Sequence, residues 1–291
     1  MRDLYQEVTD RIIAAVETGT PPWVQPWSRT ADPRPANAAT QRPYRGINSL
    51  LLGVEAQVQG YPLNRWLTFR QTVKLGGRIR KGEKGTTVVF YKLHEITGEP
   101  IADESPDRRV IPLLRAFTVF NLAQIEGLPD NLAMPAVPVA WDSQAEAEHL
   151  ILASGADLRH GGNQAYYDRA QDSIQVPPKG AFADPGAYYA TTMHELVHWT
   201  GHRSRCARDL AGRFGDAAYA MEELVAELGA AFLCAHCHID GRLQHAAYVR
   251  AWLPVLQRDK RAIVTAASKA QAAADYLFAR ACPEQQEGAA A

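Results

Sequence analysis

The stretch Thr191-Thr192-Met193-His194-Glu195-Leu196-Val197-His198-Trp199-Thr200-Gly201-His202 constrains the fold more than any other part of the chain. It contains H-E-x-x-H. On an α-helix, positions i and i+4 share one face, so His194 and His198 can direct two imidazoles at a single ion. Glu195 then lies beside the ion, where its carboxylate can take a proton from an activated water. The flanks suit a helix. Thr191 and Thr192 are N-cap candidates, Leu196 and Val197 supply an apolar face, and Gly201 is a terminator.

Five residues with two wildcards also arise by chance, and the motif is then a helix with two surface histidines and an acid. A catalytic zinc asks for a third protein ligand and one open position. Downstream, the run from Tyr219 to Phe232 reads as a helix with carboxylates at i and i+4, Glu223 and Glu227. A second helix that delivers Glu to an H-E-x-x-H pair is the His2Glu arrangement of thermolysin-like zinc peptidases. There, one Glu binds metal and an acid one turn later orients a ligand histidine. Glu223 is accordingly the expected third ligand and Glu227 its outer partner. Glu222 points about 100° away from Glu223 and is expected to face solvent. His202 is a rival ligand. On a continuous helix it sits about 12 Å along the axis from His194, out of one ion's reach unless the helix breaks at Gly201. A metzincin-type third histidine would stand where the chain has Ser204. The expected set is catalytic Glu195 with metal-binding His194, His198 and Glu223. Zn²⁺ is the expected ion, and another divalent transition metal such as Mn²⁺ is the alternative.

With 291 residues the chain suits two domains, each able to bury a core. Residues 2 to 18 read as an opening helix on the stripe Leu4, Val8, Ile12, Ile13 and Val16. A rigid aromatic loop from Thr20 to Trp27 follows, then a Pro- and Ala-rich polar stretch. Asn48 to Gln59 reads as helix, and Arg65 to Leu75 as the start and body of a short one. Val88 to Tyr91 and Leu113 to Phe120 read as strands around an acidic excursion from Glu95 to Asp107. The run from Leu128 to Trp141 holds three prolines and little charge, a natural linker. The expected organisation is a domain over 1–127, a linker over 128–141 and a second domain over 142–291. In the second, 143–154 is a helix, Gln164–Asp168 and Ser173–Val176 are a strand pair, 203–216 is a loop, 219–236 is the glutamate helix, and Tyr248 to Ala281 is alanine-rich helix. A hairpin ahead of the H-E-x-x-H helix offers an edge on which an extended peptide can lie. The fold class is α+β.

The net charge is −1, so the whole chain has no bias towards nucleic acid; the distribution does. Between Arg65 and Lys92 stand eight basic residues, Arg65, Arg70, Lys74, Arg78, Arg80, Lys81, Lys84 and Lys92, against one acid, Glu83. Trp27, Tyr44, Trp66, Phe69 and Tyr91 lie in or near the run. A positive groove with stacking surfaces is what single-strand binding needs, although the same pattern also fits a solvated basic hairpin with core aromatics. No apolar run reaches about eighteen residues, so no membrane span is expected. The N-terminus does not read as a signal peptide, and four cysteines are too few for a disulfide scaffold, so a cytoplasmic protein is expected. Cys234-Ala235-His236-Cys237-His238 matches the haem-attachment pattern C-x-x-C-H. That chemistry needs export, and these cysteines read as small buried helix residues instead.

In its ordered motifs the chain resembles the ArdC antirestriction proteins of conjugative plasmids, whose N-terminal domain is similar to that of TraC-type primases. The carrying stretches are Pro22-Trp23 and Pro26-Trp27, Pro43-Tyr44-Arg45-Gly46-Ile47-Asn48, Trp66-Leu67-Thr68-Phe69, Gly76-Gly77, Arg80-Lys81-Gly82-Glu83-Lys84-Gly85 and Val119-Phe120-Asn121. In the second half they are the H-E-x-x-H segment through His202 and Glu222-Glu223-Leu224-Val225-Ala226-Glu227. The resemblance implies an N-terminal single-stranded-DNA-binding domain joined to a C-terminal zincin-like metallopeptidase domain, which together protect incoming plasmid DNA from host restriction. With it, the expected DNA-binding aromatics are Trp27, Tyr44 and Trp66. The expected polar contacts are Arg45, Asn48, Arg70, Lys74, Arg78, Arg80, Lys81 and Lys84. A host protein is a candidate peptidase substrate. Two alternatives are a DNA-binding shield with a non-catalytic metal site and a protease effector delivered with transferred DNA. Primase chemistry is not expected, because the N-terminal half shows no acidic cluster able to hold two Mg²⁺ ions.

Overall fold

The apolar stripe at the N-terminus forms helix α1 (Leu4–Glu17), with Val8 and Ile12 buried. The structure, a computed structural model, describes residues 3–17, 34–97, 108–129, 132, 143–182, 184–210, 216–239 and 246–282. Trp27 and its aromatic loop, the tip of the acidic excursion and most of the expected linker lie outside the described residues.

After α1 come strand β1 (Ala36–Asn37), helix α2 (Ile47–Val58), β2 (Arg65–Thr68), α3 (Phe69–Lys74), β3 (Arg78–Ile79), β4 (Thr86–Thr97), β5 (Arg108–Asn121) and β6 (Ile125–Glu126). Four of these form a sheet ordered β1-β2-β5-β4, parallel between β1 and β2 and antiparallel elsewhere. β4 and β5 are one long hairpin, in register from Thr86 against Val119 to Thr97 against Arg108. β3 and β6 pair separately.

The pattern from Arg65 predicts a helix start, but residues 65–68 are a strand and the helix begins at Phe69. Successive strand side chains point to opposite faces, and both faces are covered here, so Trp66 and Leu67 are each fully buried. Thr68 then closes a capping box. Its hydroxyl accepts from the Gln71 N–H, and the Gln71 side chain accepts from the Thr68 N–H.

The second half runs α4 (Ser143–Ser154), β7 (Asp157–His160), β8 (Tyr166–Asp168), β9 (Ser173–Val176), α5 (Pro185–Thr200), α6 (Ala217–His236), α7 (Ala246–Arg258) and α8 (Ala262–Ala281). Its sheet is ordered β7-β9-β8, so the expected hairpin has an outer strand, β8, antiparallel to β9. Strand β7 carries no apolar alternation and is held by parallel pairing with β9, which is why the sequence does not reveal it. The single helix expected from Tyr248 to Ala281 is two. Asp259 breaks it: its carboxylate accepts the Arg261 N–H and its carbonyl accepts the Ala262 N–H.

One buried cluster joins α5, α6 and α8 through Met193, Leu196, Leu224, Leu228, Ala266 and Leu277, and it also takes in Val8 and Ile12 of α1 and Leu50 and Leu51 of α2. The N-terminal helices thus share the core on which the H-E-x-x-H helix is packed. Helices α5 and α6 approach closely at Gly229, where a Cβ would stand 2.7 Å from Val197 Cγ2. Gly229→Val is expected to destabilise the protein by about 1–3 kcal/mol, because the extra volume has nowhere to go; a denaturant midpoint at or above wild type would refute this. No helix among the described residues is long and apolar enough to cross a membrane.

Candidate metal centre

Helix α5 begins two turns before the expected Thr191 or Thr192. Asp184 is the N-cap, its carboxylate accepting from the Ala187 N–H, and Pro185 opens the first turn. Thr192 is instead internal, its hydroxyl donating to the Tyr188 carbonyl. Gly201 is the C-cap, and the chain then folds back over the end of the helix. There Arg205 Nε donates to the Trp199 carbonyl and Arg208 Nη2 to the Val197 carbonyl, 2.6 and 2.5 Å away. Both cations add to carbonyls that already accept from the Thr200 hydroxyl and the His202 N–H, at the end of the helix where its dipole favours positive charge.

This end of α5 and the first half of α6 bring four predicted residues to one cleft of about 460 Å³, lined by His194, Glu195, His198 and Glu223. Asp216 caps α6 through the Tyr219 N–H. His194 Nε2 and His198 Nε2 are 3.1 Å apart, and each is 3.5 Å from a different Glu223 oxygen. The donor atoms of these three residues all lie within 4.8 Å of one another. Glu195 is buried on the cleft wall. His202 turns instead to the Ser204 hydroxyl, 2.8 Å away, and is not part of the cluster.

Each imidazole has a carboxylate behind it. Glu227 Oε1 is 3.7 Å from His194 Nδ1, the partner that the i, i+4 spacing anticipates. Glu222 Oε1 is 3.2 Å from His198 Nδ1. The expectation that Glu222 faces solvent is therefore corrected. It is buried, and Arg208 clamps it through Nε at 3.0 Å and Nη2 at 2.8 Å. The helical wheel does turn Glu222 away from Glu223. But α6 is buried on nearly every side, so the second direction is also interior. Arg208 comes from the 203–216 loop, whose path no local pattern in the sequence specifies.

The electrostatics favour a cation. Burial alone would lower the His194 pKa, yet the hydrogen bond with Glu223 and the charges of Glu227, Glu195 and Glu223 push it up to about 9. Burial raises the Glu222 carboxyl, but the hydrogen bonds from His198 and Arg208 more than offset this and hold it below the usual range. Glu223 is likewise held low against burial by His194 and His198. Two ring nitrogens 3.1 Å apart, with Glu195, Glu222, Glu223 and Glu227 around the two rings, favour shared positive charge. The donor set and its burial fit a divalent transition ion.

Strand β8 lies beside this cleft through Tyr166 and Tyr167. Its position is tied to α5 by Arg205, which stacks over Trp199 at 3.8 Å and reaches Asp172 in the β8–β9 turn through Nη1 at 3.0 Å. Tyr167 donates to the same Asp172; burial, then that bond, push its hydroxyl up to about 12.

The other predicted positions are scattered. Trp66 is fully buried with Nε1 donating to Asn64 Oδ1, so it offers no stacking surface. Asn48 is buried, its amide satisfying both the N–H and the carbonyl of Val89. Tyr44 is half-buried and Arg45 is exposed and ion-paired with Asp275. Arg78 and Arg80 pair with Glu126 and Glu83, 2.8 and 3.0 Å away. Arg70, Lys74, Lys81 and Lys84 are exposed. Cys234 and Cys237 are free and buried, with burial pushing the Cys237 thiol up to about 12.

Residues 2–120 match the family profile of the N-terminal domain of anti-restriction factor ArdC, and residues 145–269 match that of a zincin-like metallopeptidase. The metal-free crystal structure of the antirestriction ArdC protein from the R388 plasmid is 42% identical. It superposes with a TM-score of 0.82 over 97% of this chain and 99% of that one. The chain belongs to the ArdC antirestriction family. A Mn(II)-bound structure of the same R388 protein matches with 43% identity and a TM-score of 0.79, over 98% of this chain and 100% of that one. Protein y4eC of Sinorhizobium fredii (strain NBRC 101917 / NGR234) is 42% identical over 98% of this chain and 94% of its own length. Two DNA primases named TraC from Escherichia coli are 38% and 37% identical, but this ArdC-family chain spans only 27% and 20% of their lengths.

Proposed function

We propose that this ArdC-family protein protects incoming DNA from restriction by binding single-stranded DNA and by cutting a protein at a mononuclear metallopeptidase centre. The observation that carries the enzymatic part is the convergence of His194 Nε2, His198 Nε2 and the Glu223 carboxylate within 4.8 Å, with Glu195 on the same cleft wall. His194, His198 and Glu223 would hold the ion, zinc by its preference for this donor set. Mn²⁺ is the alternative, supported by the Mn(II)-bound R388 protein. A divalent ion there would supply Lewis-acid polarisation of a peptide carbonyl and acidify the attacking water.

The remaining steps belong to side chains of this chain. Glu195 accepts a proton from the water and returns it to the departing amine. Glu227 and Glu222 hold the Nδ1–H groups of His194 and His198 towards themselves as acceptors, which leaves both Nε2 lone pairs facing the centre. Strand β8 offers its outer edge to an extended substrate. Arg208 keeps Glu222 charged. Arg208→Met is expected to weaken metal binding about 10- to 100-fold without removing a ligand; titration with a competing chelator reads this, and an unchanged constant would remove Glu222 from the centre.

The DNA part rests on family membership and on exposed cations in the N-terminal half. The test is delivery of an unmodified plasmid into restricting recipients that express wild type or Glu195→Gln. Protection lost in the variant supports a peptidase role. Full protection by the variant would favour a DNA-binding shield with a non-catalytic metal. Cleavage of a host protein without any protection would favour an effector delivered with transferred DNA.

A further inference from the structure

We propose that single-stranded DNA runs through the groove between the open face of the β4–β5 hairpin and helix α8, so that the metallopeptidase half builds one wall of the DNA site. This rests on the single-strand reading above and says where the strand lies.

The groove encloses about 1550 Å³. Its floor is the sheet face that carries Val88 and Phe90 of β4 and Phe117 and Val119 of β5. Val88 and Val119 are buried, but Phe90 and Phe117 are 48% and 45% exposed. Their ring centroids are 5.2 Å apart at 86°. Two large aromatics on neighbouring strands, open to solvent and filling no core, form a platform for bases whose faces are free. Opposite them α8 presents small side chains, Thr265, Ser268 and Ala272, which keep the groove wide.

Charge selects the occupant. Arg42, Arg45, Arg115, Arg261 and Lys269 line the groove against one acid, Asp275. Arg45 is bound to Asp275, and Arg261 lies over the Tyr5 ring at 5.2 Å. Arg42, Arg115 and Lys269 have no ion-pair partner among the described residues. Phosphates running past these cations, with bases turned to Phe90 and Phe117, satisfy both halves of the surface. The basic segment from β3 through the loop to β4 meets fewer of these requirements. Two of its arginines are already paired, and neither Lys81 nor Lys84 lines this groove.

The test is fluorescence anisotropy with a labelled oligodeoxythymidylate of about 20 nucleotides, longer than one such site, and full-length protein at several salt concentrations. Phe90→Ala with Phe117→Ala is expected to weaken binding at least about tenfold. Arg115→Ala and Lys269→Ala should each flatten the slope of log K against log salt by about 0.7. Lys81→Ala with Lys84→Ala should weaken binding less than the groove variants do. All these side chains are exposed, and unchanged metal content and melting temperature check the fold. A strand carrying 5-iodouracil should crosslink to peptides containing Phe90 or Phe117. Groove variants that bind as wild type, or crosslinks confined to residues 78–85, would overturn the groove. Tighter binding of polyglutamate than of the oligonucleotide would overturn DNA as its occupant. Wild type that binds no oligonucleotide at any salt would instead sink the single-strand reading itself, and the groove with it.

Discussion

Glu195→Gln is expected to keep a full complement of metal and to lose hydrolysis by at least about 100-fold, the usual scale of a general acid–base contribution. The reason is geometric. Glu195 lines the cleft beside His194, His198 and Glu223 but is not one of the three residues whose donor atoms cluster. The amide is nearly isosteric and leaves the packing of a buried side chain intact. It cannot accept a proton, so the attacking water keeps it and the leaving amine receives none. Metal content by mass spectrometry and labelling of newly formed protein N-termini measure the two halves of this expectation. A variant that still cuts whatever the wild type cuts would remove Glu195 from catalysis; a variant that loses its metal would move it into the ligand set.

Glu223→Ala is expected to empty the centre. Loss of an outer partner costs about 10- to 100-fold in metal affinity, and removal of a coordinating carboxylate should cost more. The variant should therefore be purified without metal under conditions in which wild type carries about one ion per chain. Wild-type affinity should also depend on pH, with a sign that follows from His194. Its proton is held up to about pH 9 by Glu223, Glu227 and Glu195 against the opposing effect of burial. Metal must displace that proton, so apparent affinity should rise about tenfold per pH unit until that pKa is passed and then level off. Affinity that falls between neutral pH and 9, or a Glu223→Ala protein that keeps its ion, would overturn the assignment.

Where a candidate site residue sits on a regular helix, spacing alone anticipated its neighbours. His194 and His198 at i and i+4 meet at 3.1 Å, and Glu223 and Glu227 at i and i+4 stand against the front and back of His194 at 3.5 and 3.7 Å. A 3.6-residue period needs no tertiary information to put such pairs on one face. The α+β class and the β8–β9 hairpin were legible for the same local reason. Trp66 shows the limit. An aromatic beside a basic run has the composition of a stacking residue, yet strand pairing of Trp66 with Asn121 puts it under α2, where it is fully buried. Asn48, polar and near the same run, was likewise taken by the backbone of Val89.

The sequence by itself determined which side chains can meet at the candidate centre, because the H-E-x-x-H pair and the downstream glutamates each reside within one helix and obey its period. Only the tertiary structure decided what surrounds that centre. Arg208 reaches Glu222 because the loop folds back over the end of α5. Phe90 and Phe117 face α8 because a hairpin from one half and a helix from the other meet across a groove. Residues 14 and more than 150 positions apart come together at these sites through how the chain closes on itself, and no local period encodes that closure.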